Sequence, residues 1–194
     1  MTQPIARRSR APTPALLAFC LFAALPAQAV EYAVLKPEAS KISFVSRQMG
    51  VPVEGGFKRF GAQLSFDPAK PATSRTWIEI DLTSVDAGSR EANEEVMGRN
   101  WFDTRPFPTA RFESTALKAL GGNRFEARGR LTVKGRVKEI SAPFTFTESA
   151  GKGLFVGAFT FKRLEFGIGA GPWGDTDTVA DEVQVKFQIT AAPR

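Results

Sequence analysis

The chain has 194 residues, with 26 Lys and Arg against 20 Asp and Glu, and it contains no histidine. Without histidine, the common zinc, copper and haem ligand sets are absent, and so are Ser-His-Asp and Cys-His catalysis. An enzyme built on this chain would have to work with carboxylates, Lys, Arg, Ser or the single tyrosine, Tyr32.

The first 29 residues have the pattern of a secretory signal peptide. A basic start precedes the apolar stretch "ALLAFCLFAAL", which is too short for a membrane span, and the small-residue sequence "AQA" ends at Ala29. We expect cleavage after Ala29 and a periplasmic domain of residues 30–194. Cleavage removes the only cysteine, Cys20, and three of the positive charges. The mature domain then has no disulfide and only an ordinary solvated surface charge, which argues against nucleic-acid binding.

From Val30 onwards, apolar and polar residues alternate with a period of two, as in antiparallel strands that bury one face. Stretches such as "FKRFGAQLSFD" and "RTWIEIDLTSV" predict single strands, and clusters such as "DPAKPATS" and "LGGNR" predict the turns between them. About eight strands result, which indicates a small barrel or sandwich. Four glycines within strand-like runs favour a barrel, because strand glycines often mark bends: Gly55, Gly56, Gly129 and Gly157.

One segment does not alternate. "DAGSREANEEVMGRN", residues 86–100, is acidic early and rich in helix formers. Asp86 or Ser89 could cap its start, and Gly98 lies near its end. The segment predicts one short helix inserted between strands.

Phenylalanine recurs on the apolar phase of the predicted strands, with charged residues on the opposite phase. Rings that stack on nucleic acid would lie instead on an exposed, basic face. Two interpretations stay open for this inward face. It is either a plain core or the wall of an apolar slot, because an eight-stranded barrel is near the size that is filled by side chains or holds one small ligand.

Three polar features have a structural and a functional interpretation. Lys134, Arg136 and Lys138 surround a predicted tight turn at Lys134-Gly135 and form either a basic rim or a charged edge that prevents strand pairing. The acidic stretch "GAGPWGDTDTVADE" does not fit a calcium loop and predicts a solvated loop. Glu79 and Asp81 face one side of a strand, where paired carboxylates could serve acid–base chemistry or simply form a polar outer face.

Three stretches together resemble the YceI-like family of exported lipid-binding proteins: "WFDTRPFPTARFEST", "GRLTVKGRVKEI" and "RLEFGIG". The resemblance extends from about Val30 to the C-terminus. It implies an all-β fold, a lipocalin-like antiparallel eight-stranded barrel with one short inserted helix. It also implies an interior cavity for a long isoprenoid chain, such as a polyprenyl or quinone tail.

We therefore expect a periplasmic protein that binds or carries an isoprenoid lipid or quinone, without catalysis, metal or cofactor. Trp173 is a candidate cover for the cavity mouth. The other candidate ligand contacts follow from strand phase and the resemblance: Ile42, Phe44, Ile80, Leu82, Trp101, Phe102, Phe112, Leu131, Phe144, Phe146, Phe159, Phe161 and Phe187.

Two alternatives stay open at the level of sequence. One is a structural or partner-binding protein with a solid core, such as an accessory of a membrane electron-transfer protein. The other is a carboxylate enzyme that uses Glu79 and Asp81. The sequence does not fix the oligomeric state, and a homodimer is compatible with it.

Overall fold

The computed structural model describes residues 30–194, so the predicted signal peptide and Cys20 lie outside the described residues. This part of the chain forms a mainly antiparallel sheet and one short α-helix, α1, at Arg90–Met97. No helix among these residues combines the length and hydropathy needed to cross a bilayer. The strands are β1 Tyr32–Leu35, β2 Lys41–Gln48, β3 Val51–Phe57, β4 Phe60–Ser65, β5 Arg75–Asp81, β6 Val85–Asp86, β7 Thr109–Gly121, β8 Arg124–Val133, β9 Arg136–Ser149, β10 Lys152–Lys162 and β11 Glu182–Pro193.

The predicted all-β class with one helix is confirmed, but the closed eight-stranded barrel is wrong. The sheet is a strongly curled half-barrel in which ten strands follow the order β4-β5-β7-β8-β9-β10-β11-β2-β3-β6, with β1 beside β11. Two stretches that predict single strands are each divided in the structure. The chain bends at residues 58–59 between β3 and β4, and a 3₁₀ turn at Leu82–Ser84 separates β5 from β6.

At this bend, hydrogen bonds to side chains replace the regular backbone hydrogen bonds between strands. The backbone N–H of Arg59 donates to Ser84 Oγ at 2.9 Å, and Asp81 Oδ1 accepts from the backbone N–H of Thr83 at 2.9 Å. The backbone N–H of Lys58 donates to the carbonyl of Ser84 at 3.1 Å. Ser, Thr and Asp offer the backbone such local partners in place of strand pairing. As a result, β4, which follows the bend, is the first strand of the ten-strand path. The last strand is β6, which pairs with the end of β3 just before the bend.

The inserted helix lies where the sequence predicts it. Ser89 Oγ accepts from the backbone N–H of Ala92 at 3.1 Å and caps the first turn, and Gly98 is the C-cap. The link that follows, residues 98–108, returns the chain to β7. It packs Trp101 and Phe102 against a buried cluster that includes Leu82 and Leu131. We call this end of the half-barrel the Trp101 end.

The opposite end is sealed by aromatic rings. Phe66 lies at the centre, with the ring of Phe146 at 5.0 Å, that of Phe155 at 5.0 Å and that of Phe125 at 5.2 Å. Tyr32, which is fully buried, packs edge-on to Phe146 at 5.0 Å. Such edge-to-face pairs add to the free energy gained from burial. We call this the closed end.

Strand glycines provide room for these rings and for others along the wall. A Cβ placed at Gly129 would lie 2.7 Å from Phe112 Cε2, and one at Gly153 would lie 2.6 Å from Phe146 Cε2. Gly55 has the same relation to Phe44, and Gly157 to Phe187. The strand glycines thus allow rings from neighbouring strands to lie directly across the backbone.

Candidate functional site: an apolar cavity

A cavity of about 190 Å³ lies inside the curl of the sheet. Strands β2–β5 and β7–β11, the helix and the link all contribute to its wall, and the lining side chains are almost entirely aliphatic or aromatic. The volume exceeds the roughly 150 Å³ of an engineered apolar cavity that stays dry and binds benzene. Because close packing is the norm in protein interiors and voids cost stability, the unfilled space argues against a solid core.

The structure places nearly all of the predicted contacts on the cavity wall. They come from seven strands and from the segments beside β5 and α1, and their side chains converge because alternate residues of each strand point inward. The predicted residues on the wall are Ile42, Phe44, Ile80, Leu82, Trp101, Phe102, Phe112, Leu131, Phe144, Phe159, Phe161 and Phe187.

Two predicted contacts do not line the cavity. Phe146 points inward but belongs to the closed end, packed against Tyr32 and Phe66. Trp173 lies one layer further out, with its ring 5.6 Å from that of Trp101. Its indole N–H donates to Glu95 Oε1 at 2.7 Å, which links the loop of Trp173 to the helix.

Several wall residues were not among the predicted contacts. Ile78, Val185 and Ile189 lie on the same strand phase as predicted neighbours, so the alternation alone could have identified them. Phe57 immediately precedes the bend that the sequence did not predict. Val96 reaches the wall from the helix, and the strand pattern carries no signal for it.

Glu79 and Asp81 lie on the outer face of β5 and do not line the cavity. Asp81 Oδ2 pairs with Arg59 Nη2 at 2.8 Å, and Glu79 pairs with Arg111 at 3.5 Å. A hydrogen bond from the hydroxyl of Thr83, followed by the contact with Arg59, lowers the pKa of Asp81. Both carboxylates have structural partners, and the cavity brings no carboxylate pair together.

The basic hairpin between β8 and β9 is hydrogen-bonded to two neighbouring loops. Lys134 and Gly135 have positive φ values of 49° and 72°, as a two-residue turn requires. Lys134 Nζ donates to the carbonyl of Arg99 at 2.7 Å and to that of Gly167 at 3.0 Å, and burial lowers the pKa of Lys134. Arg136 Nη1 donates to the carbonyl of Glu165 at 3.2 Å. These bonds attach the hairpin to the link and to the segment after β10.

Sequence reasoning missed the central role of Arg163 at the Trp101 end. Its side chain is 0% exposed and lies on the cavity wall. The five guanidinium hydrogens match five carbonyl acceptors on the chain that wraps around it, at 2.6–3.0 Å, and burial lowers the pKa of Arg163. The acceptors belong to Ile168, Gly169, Trp173, Val179 and Ala180.

The acidic stretch "GAGPWGDTDTVADE", for which the sequence predicts a solvated loop, forms part of the chain that surrounds Arg163. Asp175 Oδ2 accepts from the hydroxyl of Thr178 at 2.7 Å, which lowers the pKa of Asp175. Asp181 Oδ1 accepts from the backbone N–H of Leu164 at 3.0 Å. The carboxylates therefore shape the loop that presents its carbonyl groups to Arg163.

A curled antiparallel sheet around an apolar cavity, sealed at one end by rings, defines a cavity-containing all-β protein. The YceI-like domain family matches residues 34–191 of the sequence, and the chain belongs to this family. The resemblance that the three sequence stretches indicated is thus confirmed.

Relatives of known structure share the fold. The crystal structure of BcnA from Burkholderia cenocepacia is 42% identical, with a TM-score of 0.80, over 81% of this chain and 99% of that one. A polyisoprenoid-binding domain from Saccharophagus degradans, implicated in plant cell wall breakdown, is 18% identical, with a TM-score of 0.66, over 85% of this chain and 99% of that one. A UPF0312 protein of Pseudomonas syringae is 30% identical over 88% of this chain and 95% of its own length.

Proposed function

We propose that the protein binds an isoprenoid lipid or a quinone in the cavity and performs no chemistry on it. The observation that carries this proposal is the unfilled apolar cavity of about 190 Å³. The polyisoprenoid bound by the Saccharophagus degradans domain supports it by analogy of fold. A water-filled compartment gives such a lipid no favourable environment, so an apolar cavity provides a large driving force with little directional chemistry.

The driving force can be estimated from burial alone. At about 25 cal/mol per Å², removing roughly 200 Å² of ligand surface from water contributes on the order of 5 kcal/mol before the cost of association. The closed end is sealed by packed rings. A chain too long for the cavity would therefore extend at the Trp101 end, where loops rather than strands close the site.

We also propose that the protein acts in the periplasm, after removal of residues 1–29. The basic, apolar and small-residue segments of this stretch support export. The test is the intact mass of the protein released from the periplasm of its own host. We expect the mass of a chain that begins at Val30. A protein that stays in the cytoplasm and retains Met1 would contradict the proposal.

The experiment for ligand binding is native mass spectrometry of the exported protein, followed by solvent extraction and analysis of the released lipid. A stoichiometric adduct with isoprenoid fragments is expected. Bare protein that also takes up no added quinone or polyprenol would overturn the proposal. That outcome would favour the partner-binding alternative.

A further inference from the structure

The helix α1 is the part of the cavity wall that the rest of the protein holds least firmly. Val96 is its residue on the wall, and none of the residues Arg90–Met97 is buried. The strands of the wall are joined by backbone hydrogen bonds, and the closed end is sealed by packed rings. A helix of eight residues is marginally stable in water and depends on packing. Local opening therefore costs less free energy at α1 than in the sheet.

One side-chain hydrogen bond joins α1 to a distant part of the chain. The indole N–H of Trp173 donates to Glu95 Oε1 at 2.7 Å, across 78 residues of sequence. Within residues 30–194, every other hydrogen bond and ion pair of the helix has its partner in residues 87–104. The bond to Glu95 is thus the polar contact that fixes α1 to the loop of Trp173.

The segments on both sides of α1 are anchored to other parts of the protein. Before the helix, Asp86 pairs with Gly56 in the sheet. After it, the carbonyl of Asn100 accepts from the backbone N–H of Ala170 at 2.8 Å. Between the first anchor and the helix, Gly88 has a φ of 97°, and a Cβ there would meet nothing within 4 Å. A few residues at the ends of an element are enough for a hinge, so α1 can move while its anchors stay in place.

We propose that α1 is the gate through which the ligand enters and leaves the cavity, and that the hydrogen bond between Trp173 and Glu95 keeps the gate shut. Displacement of a helix about 10 Å in diameter clears an opening wider than a single hydrocarbon chain. The sheet and the closed end stay intact during this motion. This inference rests on the proposed function, and it identifies the path of the ligand and the contact that controls its exchange.

A gate has a kinetic signature that a ligand contact lacks. When opening precedes both entry and exit, the association and dissociation rate constants are both proportional to the population of the open state. A change that weakens the shut state raises both rate constants by the same factor and leaves the dissociation constant unchanged. Loss of a ligand contact acts mainly on the dissociation rate constant and weakens binding.

The test measures both rate constants by stopped-flow fluorescence. The probe is N-phenylnaphthylamine, a dye that fluoresces in apolar sites, and an excess of farnesol, a fifteen-carbon isoprenoid alcohol, displaces it to give the dissociation rate constant. Glu95→Ala removes the acceptor, and Trp173→Phe removes the donor but keeps a ring. Glu95→Gln keeps an acceptor oxygen. Glu94→Ala is the matched control, because Glu94 pairs with Arg90 within the helix.

We expect Glu95→Ala and Trp173→Phe each to raise both rate constants about fivefold, the effect of one hydrogen bond near the surface, with the dissociation constant within about twofold of the wild type. The double variant should be no faster than either single variant, since both remove the same bond. Glu95→Gln and Glu94→Ala should stay close to the wild type. Thermal unfolding confirms that the variants are folded.

Two results would overturn the inference while the proposed function stands. Unchanged rate constants in Glu95→Ala and Trp173→Phe would place the entrance elsewhere. A rise in the dissociation rate constant alone would make the two residues ligand contacts. Failure of the wild type to bind either the dye or farnesol would overturn the proposed function as well.

A second measurement needs no ligand. In hydrogen–deuterium exchange, the backbone amides of α1 should exchange much faster than those of β8 and β9, and Glu95→Ala should accelerate the exchange of α1 without changing that of the two strands. Exchange of α1 as slow as that of β8 and β9 would contradict the gate.

Discussion

The guanidinium of Arg163 lies over the indole ring of Trp101, with its central carbon 5.8 Å from the ring centroid. Arg163 begins the 3₁₀ turn after β10, and Trp101 lies in the link after α1. One contact therefore joins the two irregular segments that close this end of the cavity. A cation over an aromatic face contributes more when it is removed from water, and Arg163 is fully buried.

Replacement of Arg163 by Met should lower the free energy of unfolding by about 3 kcal/mol or more, because five backbone carbonyls lose their donors in a buried site. Arg163→Lys should recover only a small part of this loss, since the three donors of a flexible lysine cannot replace the five fixed donors of the planar guanidinium. Urea denaturation of both variants measures the effect. The matched control is Arg90→Met, which removes exposed helix ion pairs and should cost under about 1 kcal/mol. Equal costs at the two positions would refute the structural role of Arg163.

Two glycine substitutions should have opposite effects. In Gly129→Ala, the added Cβ meets Phe112 and the backbone of Glu113, so we expect a loss of about 1–3 kcal/mol. In Gly61→Ala, on β4, the added Cβ meets nothing within 4 Å, and reduced freedom of the unfolded chain should stabilise the protein by up to about 1 kcal/mol. Thermal unfolding of the two variants provides the comparison. A neutral Gly129→Ala would show that Phe112 is not held against that strand.

Filling the cavity should remove binding without unfolding the protein. Ala127 is buried and lines the wall, whereas Ala116 is exposed on the neighbouring strand. Leucine at position 127 occupies space that the ligand needs, so we expect at least a tenfold loss of farnesol affinity, with a change in stability under about 1.5 kcal/mol. Ala116→Leu is the control and should bind normally. Unchanged binding by Ala127→Leu would place the ligand elsewhere.

Tyr32 should make the stability depend on alkaline pH. Burial, assisted by the negative charge of Glu148, raises the pKa of Tyr32 from 10.0 to about 12. Because the folded state prefers the neutral phenol, this contribution is fully present below pH 10 and is lost as the pH rises from 10 to 12. The loss is on the order of 2 to 3 kcal/mol.

Since Tyr32 is the single tyrosine of the chain, absorbance of the phenolate reports its ionisation directly. Denaturation curves at several pH values above 9 measure the stability, and Tyr32→Phe should lack this part of the pH dependence. A midpoint of phenolate formation near pH 10 in the folded protein would contradict the prediction.

The strand phase and the helix could be read from the sequence because each depends on local patterns. Alternation placed Ile42 and Phe187 on the inner face, and Ser89 and Gly98 bounded the helix. The division at Leu82–Ser84 could not be read, because the apolar phase of Ile78 and Ile80 continues to Leu82. At residues 58–59 the apolar phase shifts by one position between Phe57 and Phe60, so the sequence does carry a signal for that bend. Arg163 was missed for a different reason. Its partners lie 5 to 17 residues away along the chain and are backbone carbonyls, which every residue possesses.

The ionisable residues that line the cavity are all arginines, Arg75, Arg111 and Arg163. The side chain of Arg111 turns outward to Glu79 and Glu113, and that of Arg163 is fully buried. Arginine stays protonated across the physiological range, so the interior has the same charge in mildly acidic and mildly alkaline surroundings. A lipid held there could not be discharged by a drop in pH, as it could from a site that contains histidine. Loading and unloading would instead follow the difference in chemical potential of the lipid between donor and acceptor. For the proposed lipid binding, the charge of the cavity would then not determine the direction of transfer.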